Sequence, residues 1–263
     1  MAIEIDTPQG PARVHLHVVD EPRGSLVLGH GAGGGIGAPD LVAATEAARS
    51  VGMTVALVEQ PYRVAGRRSP APAAQLDAVW TAVLERLRSA ELADLPPVVG
   101  GRSLGARVAC RTADATGAAG VLCLAFPLEP PARAGKPRQS RLAELEAVTV
   151  PTLVVQGERD PFGIPPSGPT REVVTVRGDH GLKADLDTVG AAVREWWHAS
   201  WPQLEAGGRR RGRAEGLLRR LDELHHGVER LALEFGNRRA GGGIAGRDDD
   251  ERPLVGRPPE NVV

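Results

Sequence analysis

The stretch Gly-Arg-Ser-Leu-Gly at residues 101–105 decides the fold of this chain. It follows the apolar run 95–99 and precedes segment 106–110, which has the composition of a helix. This order predicts a strand, a tight turn with a serine at its apex, and a helix. Glycines on both sides of such a turn let the strand and the helix approach closely. Ser103 is therefore the candidate nucleophile, and the backbone N–H of Leu104 is a candidate oxyanion donor.

Two later strand ends carry the residue types that would complete a site with Ser103. The β-branched run 152–157 leads into a loop that contains Asp160, and the run 171–176 ends just before His180. The carboxyl ends of parallel strands meet at one edge of a sheet, which is where ligands bind. We therefore expect a serine nucleophile, a histidine base and an aspartate that orients the histidine.

The sequence offers more than one candidate for the acid. Asp179 is adjacent to His180, and Glu129 follows the predicted strand 119–126. Asp160 is preferred over both, because the segment Gly-Glu-Arg-Asp-Pro at 157–161 fits an acid-bearing loop after a strand.

A glycine-rich turn lies upstream of the serine. The predicted strand 25–29 opens into His-Gly-Ala-Gly-Gly-Gly at residues 30–35, whose backbone N–H groups, near Ala32 above all, could bind a developing oxyanion. The same glycines also fit the G-x-G-x-x-G pattern of a dinucleotide-binding domain, with Glu59 placed to bind a ribose. That alternative leaves the serine, aspartate and histidine motifs without a purpose.

With these motifs in place, residues 1–203 resemble the α/β-hydrolase superfamily, most closely its small dienelactone-hydrolase-like members without a cap domain. The chain is also similar to the hydrolase-like domain shared by a testis-expressed vertebrate protein and a chromatin-complex subunit. The resemblance rests on the segments 29–33, 101–105, 156–163 and 178–181. It implies a serine esterase that needs no cofactor or metal. Dienelactone hydrolases carry a cysteine where this chain has Ser103, so lactone specificity is not carried over.

The remaining sequence predicts an α/β fold in which strands and helices alternate. Such alternation favours a mostly parallel sheet with helices on both faces. The predicted elements are an edge hairpin over 3–19 that turns at 8–11, helices over 41–50 and 74–90, a strand over 53–59 and a closing helix around 189–197. The insert 127–147 is too short for a lid domain, which predicts an open site that favours short acyl chains.

The composition changes after residue 203. Residues 204–240 have the pattern of a charged amphipathic helix, and a short apolar seam over 217–235 would serve either as a marginal helix or as a dimer contact, so the protein is expected to be a monomer or a dimer. Residues 241–263, rich in glycine, proline and acidic side chains, are expected to be disordered.

Overall composition limits the classes of partner. The net charge of −1 gives no field that would attract nucleic acid, and the absence of a long apolar run or of a signal-peptide pattern predicts a cytoplasmic protein that does not bind membranes. Cys110 and Cys123 fall in apolar surroundings, which predicts buried thiols and no disulfide framework.

The expected partner is a small acyl substrate. Arg63 and Arg102 lie beside the predicted site and could bind an anionic group on it, since arginine matches the geometry of a carboxylate. The alternative is that these arginines reflect coding bias and pair with nearby acids. Likewise, an inactive hydrolase fold used as a binding module is the second candidate function, because fold alone does not prove chemistry.

Overall fold

A single mixed sheet organises the part of the chain that the computed structural model describes, which is residues 1–130, 139–200 and 202. Its strand order is β1-β2-β4-β3-β5-β6-β7-β8. The strands β1 and β2 form an antiparallel hairpin and β2 pairs antiparallel with β4, whereas all further pairs are parallel. The strand bounds are Ala2–Ile5, Ala12–His17, Gly24–Gly29, Met53–Glu59, Pro97–Arg102, Gly120–Leu124, Thr152–Gly157 and Arg171–Val176.

Helices cover both faces of this sheet, because successive side chains on its buried central strands point to opposite sides. On β3, Val27 faces one core and its neighbours Leu26 and Leu28 face the other. The first core also takes the apolar stripes of α3 and α4, and the second takes those of α1 and α6. The helices are α1 Pro39–Ser50, α2 Pro61–Val64, α3 Ala73–Arg88, α4 Leu104–Thr112, α5 Leu142–Glu146 and α6 over 186–200.

The predicted α/β architecture is therefore confirmed, with helices on both faces of a mostly parallel sheet. The edge hairpin, the parallel strands and the long helices occur within a few residues of where the sequence placed them. Two short helices, α2 and α5, were not expected from the sequence, since each is little more than one turn and has no readable period.

The two cysteines lie where the sequence predicted them. Both thiols are buried and unbridged, with Sγ atoms 3.5 Å apart between α4 and β6. The hydrogen bond with Cys110 and burial both raise the pKa of Cys123. Both thiols are therefore part of the core, and the raised pKa of Cys123 favours its protonated form.

The described part of the insert 127–147 contains α5, and no cap domain is found among residues 1–130 and 139–200. Within those same ranges, none of the helices is both long and apolar enough to span a bilayer. The predicted appendage 204–240, its seam 217–235 and the tail 241–263 lie outside the described residues, as does the boundary at 203.

Candidate active site

A strained turn between β5 and α4 holds Ser103. Its φ and ψ are 52° and −103°, a left-handed conformation that side chains other than glycine rarely adopt. The turn is fixed from both sides, since the N–H of Ser103 donates to the carbonyl of Leu124 at 2.9 Å and its carbonyl accepts from Arg107 N–H at 3.2 Å. A strained residue that its surroundings hold in place is typical of functional sites.

The glycines that flank the turn are required by the end of β3. A Cβ added at Gly101 would lie 2.4 Å from the carbonyl oxygen of Gly29, and one added at Gly105 would lie 2.3 Å from the same atom. Both distances are far inside van der Waals contact, and the atom met is backbone that cannot rotate away. Gly101 and Gly105 thus allow the end of β3 and the start of α4 to pack closely.

Ser103, His180 and Asp160 are brought together at the carboxyl edge of the sheet. The Nε2 atom of His180 lies 2.9 Å from Ser103 Oγ, and its Nδ1 atom lies 2.8 Å from Asp160 Oδ2. Three residues from three different strand ends thus form one continuous hydrogen-bonded chain. With Nδ1 protonated toward the carboxylate, Nε2 is free to accept the serine proton.

The carboxylate of Asp160 is itself held in place. Its side chain is completely buried, and Oδ2 also accepts a hydrogen bond from Nε2 of Gln156 at 2.7 Å. Oδ1 accepts from the backbone N–H of Phe162 at 2.9 Å, and the Phe162 ring lies against the imidazole of His180 with centroids 4.5 Å apart. Gln156 and Phe162 were not predicted as site residues, because the sequence shows only that they lie close to Asp160 in the chain.

The contacts described for the other two candidate acids are different. The Oδ1 atom of Asp179 accepts from the backbone N–H of Gly181 at 2.9 Å, and the residue is exposed. Glu129 contributes its backbone N–H to the carbonyl of Phe162 at 2.8 Å. The carboxylate that bonds the imidazole of His180 is that of Asp160.

The glycine-rich turn, residues 30–35, here called the oxyanion loop, lies beside Ser103. A Cβ added at Gly31 would be 3.7 Å from Cβ of Ser103, so the two backbones are in close contact. The Tyr62 hydroxyl donates to the carbonyl of Ala32 at 3.3 Å. Leu104 is the first residue of α4, and the first N–H groups of a helix have no partner within the helix.

His30, the first residue of the oxyanion loop, connects this loop to the segment that follows β4. Its Nδ1 atom bonds the carbonyl of Gly31 at 2.8 Å, and Nε2 accepts from the backbone N–H of Gln60 at 3.2 Å. Burial lowers the pKa of His30, and the nearby charge of Arg63 lowers it further. A neutral imidazole that both donates and accepts fits these two contacts, so the side chain of His30 has a structural function.

The two arginines considered for substrate binding differ in their surroundings. Arg63 lies near the end of α2, where its charge influences both His30 and Tyr62 beside the oxyanion loop. Arg102 is engaged within the protein: its Nε atom lies 2.9 Å from Oδ2 of the buried Asp40, and Nη2 donates to the carbonyl of His180 at 2.9 Å. Pairing with an acid was one of the two expectations for this arginine, but Asp40 could not be named as the partner because the two residues are far apart in the chain.

The match to known families agrees with this geometry. The family model for the alpha/beta hydrolase domain matches residues 22–186, which is more than half of the chain and includes all three residues of the hydrogen-bonded chain. The protein is an α/β hydrolase by family. No match was found among curated proteins.

Solved structures of other α/β hydrolases share the fold of this α/β hydrolase. A lidless α/β serine hydrolase from Xanthomonas campestris is 18% identical with a TM-score of 0.60, covering 76% of this chain and 94% of that one. Est1E from Butyrivibrio proteoclasticus is 16% identical, with a TM-score of 0.61 and coverages of 76% and 99%. Dienelactone hydrolase from Anabaena variabilis is 16% identical, with a TM-score of 0.59 and coverages of 76% and 96%.

The α/β-hydrolase assignment overturns the dinucleotide-binding alternative. The glycine-rich turn lies against Ser103. The carboxylate of Glu59 bonds His15, with 3.0 Å between Oε2 of Glu59 and Nε2 of His15. In the described part of the chain, no group of three or more histidine, cysteine, aspartate or glutamate side chains is arranged to hold a metal ion.

Proposed function

We propose that this α/β hydrolase is a serine hydrolase that cleaves an ester, thioester or related acyl bond of a small molecule. The observation that carries the proposal is the unbroken chain from Ser103 Oγ through His180 to Asp160, with contacts of 2.9 and 2.8 Å. The family match and esterases among its structural neighbours support hydrolase chemistry of this kind.

The first half of the reaction is acylation. Ser103 Oγ attacks the substrate carbonyl carbon while Nε2 of His180 takes the hydroxyl proton, and the imidazolium that forms is stabilised by Asp160. The tetrahedral intermediate then collapses, the bond to the alcohol or thiol breaks, and His180 returns the proton to the departing group. An acyl-serine remains.

The second half repeats these steps with water. His180 removes a proton from a water molecule that attacks the acyl-serine, and the second tetrahedral intermediate releases the carboxylic acid and restores Ser103. In both halves the negative charge develops on the former carbonyl oxygen. The N–H groups of Leu104, the first residue of α4, and of Ala32 in the oxyanion loop are the proposed donors to that oxygen.

The alternative, a binding module without catalysis, has less support. A binding surface has no need for a serine in a strained left-handed conformation, which costs of order 1–3 kcal/mol. Nor does it need a fully buried carboxylate bonded to the imidazole.

The substrate class is narrowed by the mouth of the site. With no cap domain among the described residues, little apolar surface encloses a long acyl chain, so short-chain esters are the proposed substrates. Arg63 is the arginine proposed to bind an anionic group, because Arg102 already pairs with Asp40. The test compares kcat/KM for a neutral ester and its carboxylate analogue in wild type, Arg63→Gln and the control Arg68→Gln, at low and high salt. Equal turnover of both esters by the wild type would rule out recognition of an anionic group.

The decisive experiment for the function combines a fluorophosphonate probe with p-nitrophenyl esters of increasing chain length. We expect Ser103→Ala to abolish labelling and to lower kcat by about 10⁴- to 10⁶-fold while the fold is retained. Ser50→Ala is the matched control, since its hydroxyl only bonds a carbonyl within α1. Retention of most activity in Ser103→Ala would contradict the proposal, as would a wild-type protein that reacts with neither probe nor esters.

A further inference from the structure

The contacts of Arg102 are not explained by the proposed chemistry. Arg102 is the last residue of β5 and immediately precedes Ser103. Its guanidinium contacts three separate elements: Asp40 in the first turn of α1, the backbone of His180, and Gly31 of the oxyanion loop. The last two belong to the loops that would act on the substrate.

We propose that Arg102 is a positioning residue, which fixes the backbone of His180 and the position of the oxyanion loop relative to Ser103. This inference rests on the proposed serine-hydrolase function and deepens it. The side chain acts through its neighbours and is not proposed to touch the substrate.

His180 needs such a support because of its place in the sheet. It follows β8, which is at the edge of the sheet and separated from β5 by β6 and β7. Asp160 fixes the imidazole ring through Nδ1, and the backbone N–H of Arg159 holds the loop at Gly178, but neither contact constrains the His180 backbone relative to Ser103. The bond of 2.9 Å from Arg102 Nη2 to the His180 carbonyl supplies that constraint directly from the nucleophile's own neighbour.

Gly31 is held by the same side chain. A Cβ added at Gly31 would lie 2.8 Å from Nη1 of Arg102, closer than real Cβ contacts occur, and 3.7 Å from Cβ of Ser103. A side chain at position 31 would therefore displace the guanidinium from its present position. The Arg102 side chain thus packs against the oxyanion loop at Gly31.

Asp40 fixes the orientation of the guanidinium. Its side chain is fully buried, its Oδ2 atom pairs with Nε of Arg102 at 2.9 Å, and Oδ1 accepts from the backbone N–H of Leu41 at 3.0 Å. Because Nε and Nη2 are both engaged within the protein, and arginine is rigid and planar, the position of Nη1 over Gly31 follows from the other two contacts.

The experiment uses the full chain and the double variant Arg102→Met/Asp40→Asn. Removing the cation together with its counter-ion leaves no unpaired buried charge, and the asparagine keeps the oxygen that accepts from Leu41. With p-nitrophenyl acetate we expect kcat to fall about 10- to 100-fold, the effect of losing one hydrogen bond to a charged group, while KM changes less than about threefold. Arg102→Lys, which keeps a charged donor, should recover part of that kcat.

The matched control is Arg107→Met/Glu144→Gln. Arg107 is on α4 close to Ser103, and its pair with Glu144 is partly buried, with side chains 22% and 18% exposed against 18% and 0% for Arg102 and Asp40. The Arg107 side chain bonds Glu144 and has no contact with His180 or Gly31 among those described for it. We expect its kcat to stay within about twofold of wild type.

A second readout follows His180 without turnover. In protein labelled with ¹⁵N-histidine, the Nδ1–H signal of His180, assigned by its loss in His180→Gln, should shift or exchange faster in Arg102→Met/Asp40→Asn and stay unchanged in the control. A raised KM with unchanged kcat would show substrate binding by Arg102 and overturn the inference, and so would an equal loss in the control. If the wild type hydrolyses nothing, the proposed function fails, and the imidazole signal alone decides: no change overturns the role of Arg102.

Discussion

Asp160 and Asp40 are two aspartates near Ser103 with completely buried carboxylates, yet their partners differ in kind. Asp160 accepts from two neutral donors, the amide of Gln156 and the backbone N–H of Phe162, in addition to His180. Asp40 is paired with the permanent positive charge of Arg102. Burial and residue type are the same, and the partner decides the function.

The difference follows from charge balance. Neutral donors hold the Asp160 carboxylate without neutralising it, so its charge is available when His180 becomes an imidazolium during the reaction. The charge of Asp40 is already balanced by a guanidinium that cannot lose its proton. Asp160 therefore suits a role in the chemistry, whereas Asp40 suits a role in structure.

The largest expected effect comes from exchanging each carboxylate for an amide. Asp160→Asn should lower kcat by about 10³- to 10⁴-fold, because an amide favours the wrong imidazole tautomer and cannot stabilise the imidazolium. Asp40→Asn should stay within about tenfold. Steady-state kinetics on a short-chain ester and thermal melts of both variants measure this, and the comparison is broken if the ranking reverses.

The neutral donor to Asp160 gives the next largest effect. Gln156→Leu removes the bond of 2.7 Å to Oδ2, and we expect kcat to fall about 10- to 100-fold, as for the loss of a hydrogen bond to a charged group. Gln156→Glu keeps the shape but places a second negative charge against Asp160, so its kcat should be lower still near neutral pH. Equal activity in the glutamate variant and wild type would show that the neutral donor has no importance.

A much smaller effect is expected at the exposed acid beside the histidine. Asp179→Asn should change kcat less than about threefold, because its carboxylate bonds Gly181 and an amide oxygen can accept the same hydrogen bond. Glu129→Gln serves as a second comparison with the same expected result. If either variant matched the loss in Asp160→Asn, the assignment of the acid would be wrong.

The last prediction concerns how the stability of the fold depends on pH. Burial raises the pKa of Asp40, and the charge of Arg102 offsets this only in part. A carboxyl whose pKa is higher in the folded than in the unfolded protein binds more protons when folded, so its contribution to stability is lost as pH rises through that folded pKa. Wild type should therefore lose stability relative to Asp40→Asn as the pH rises above about 4, the ordinary pKa of an aspartate in an unfolded chain.

Urea unfolding at several pH values measures that difference. Asp20→Asn, at an exposed position, is the control and should run parallel to wild type at every pH. Parallel curves for wild type and Asp40→Asn would show that the buried carboxyl titrates as it does in the unfolded chain.

Local sequence was sufficient for the elements and for the approximate position of the site. The apolar stripe from Leu76 to Leu87 specifies a helix at any place in the fold, and the glycines around Ser103 specify a tight turn. Because parallel strands share a carboxyl edge, the order of Ser103, Asp160 and His180 along the chain was enough to predict that they meet there. Periodicity, turn chemistry and strand direction are local properties, and local properties can be read from one chain.

Contacts between distant segments were decided only in the tertiary structure. The sequence left open whether Arg102 binds a substrate group or pairs with an acid; its guanidinium pairs with Asp40 and bonds the backbone of His180, which is 78 positions away. Similarly, nothing in the sequence around Gln156 shows that its amide turns toward Asp160. A polar side chain takes whichever partner the packing of several elements brings within about 3 Å, and no pattern within one segment encodes that distance.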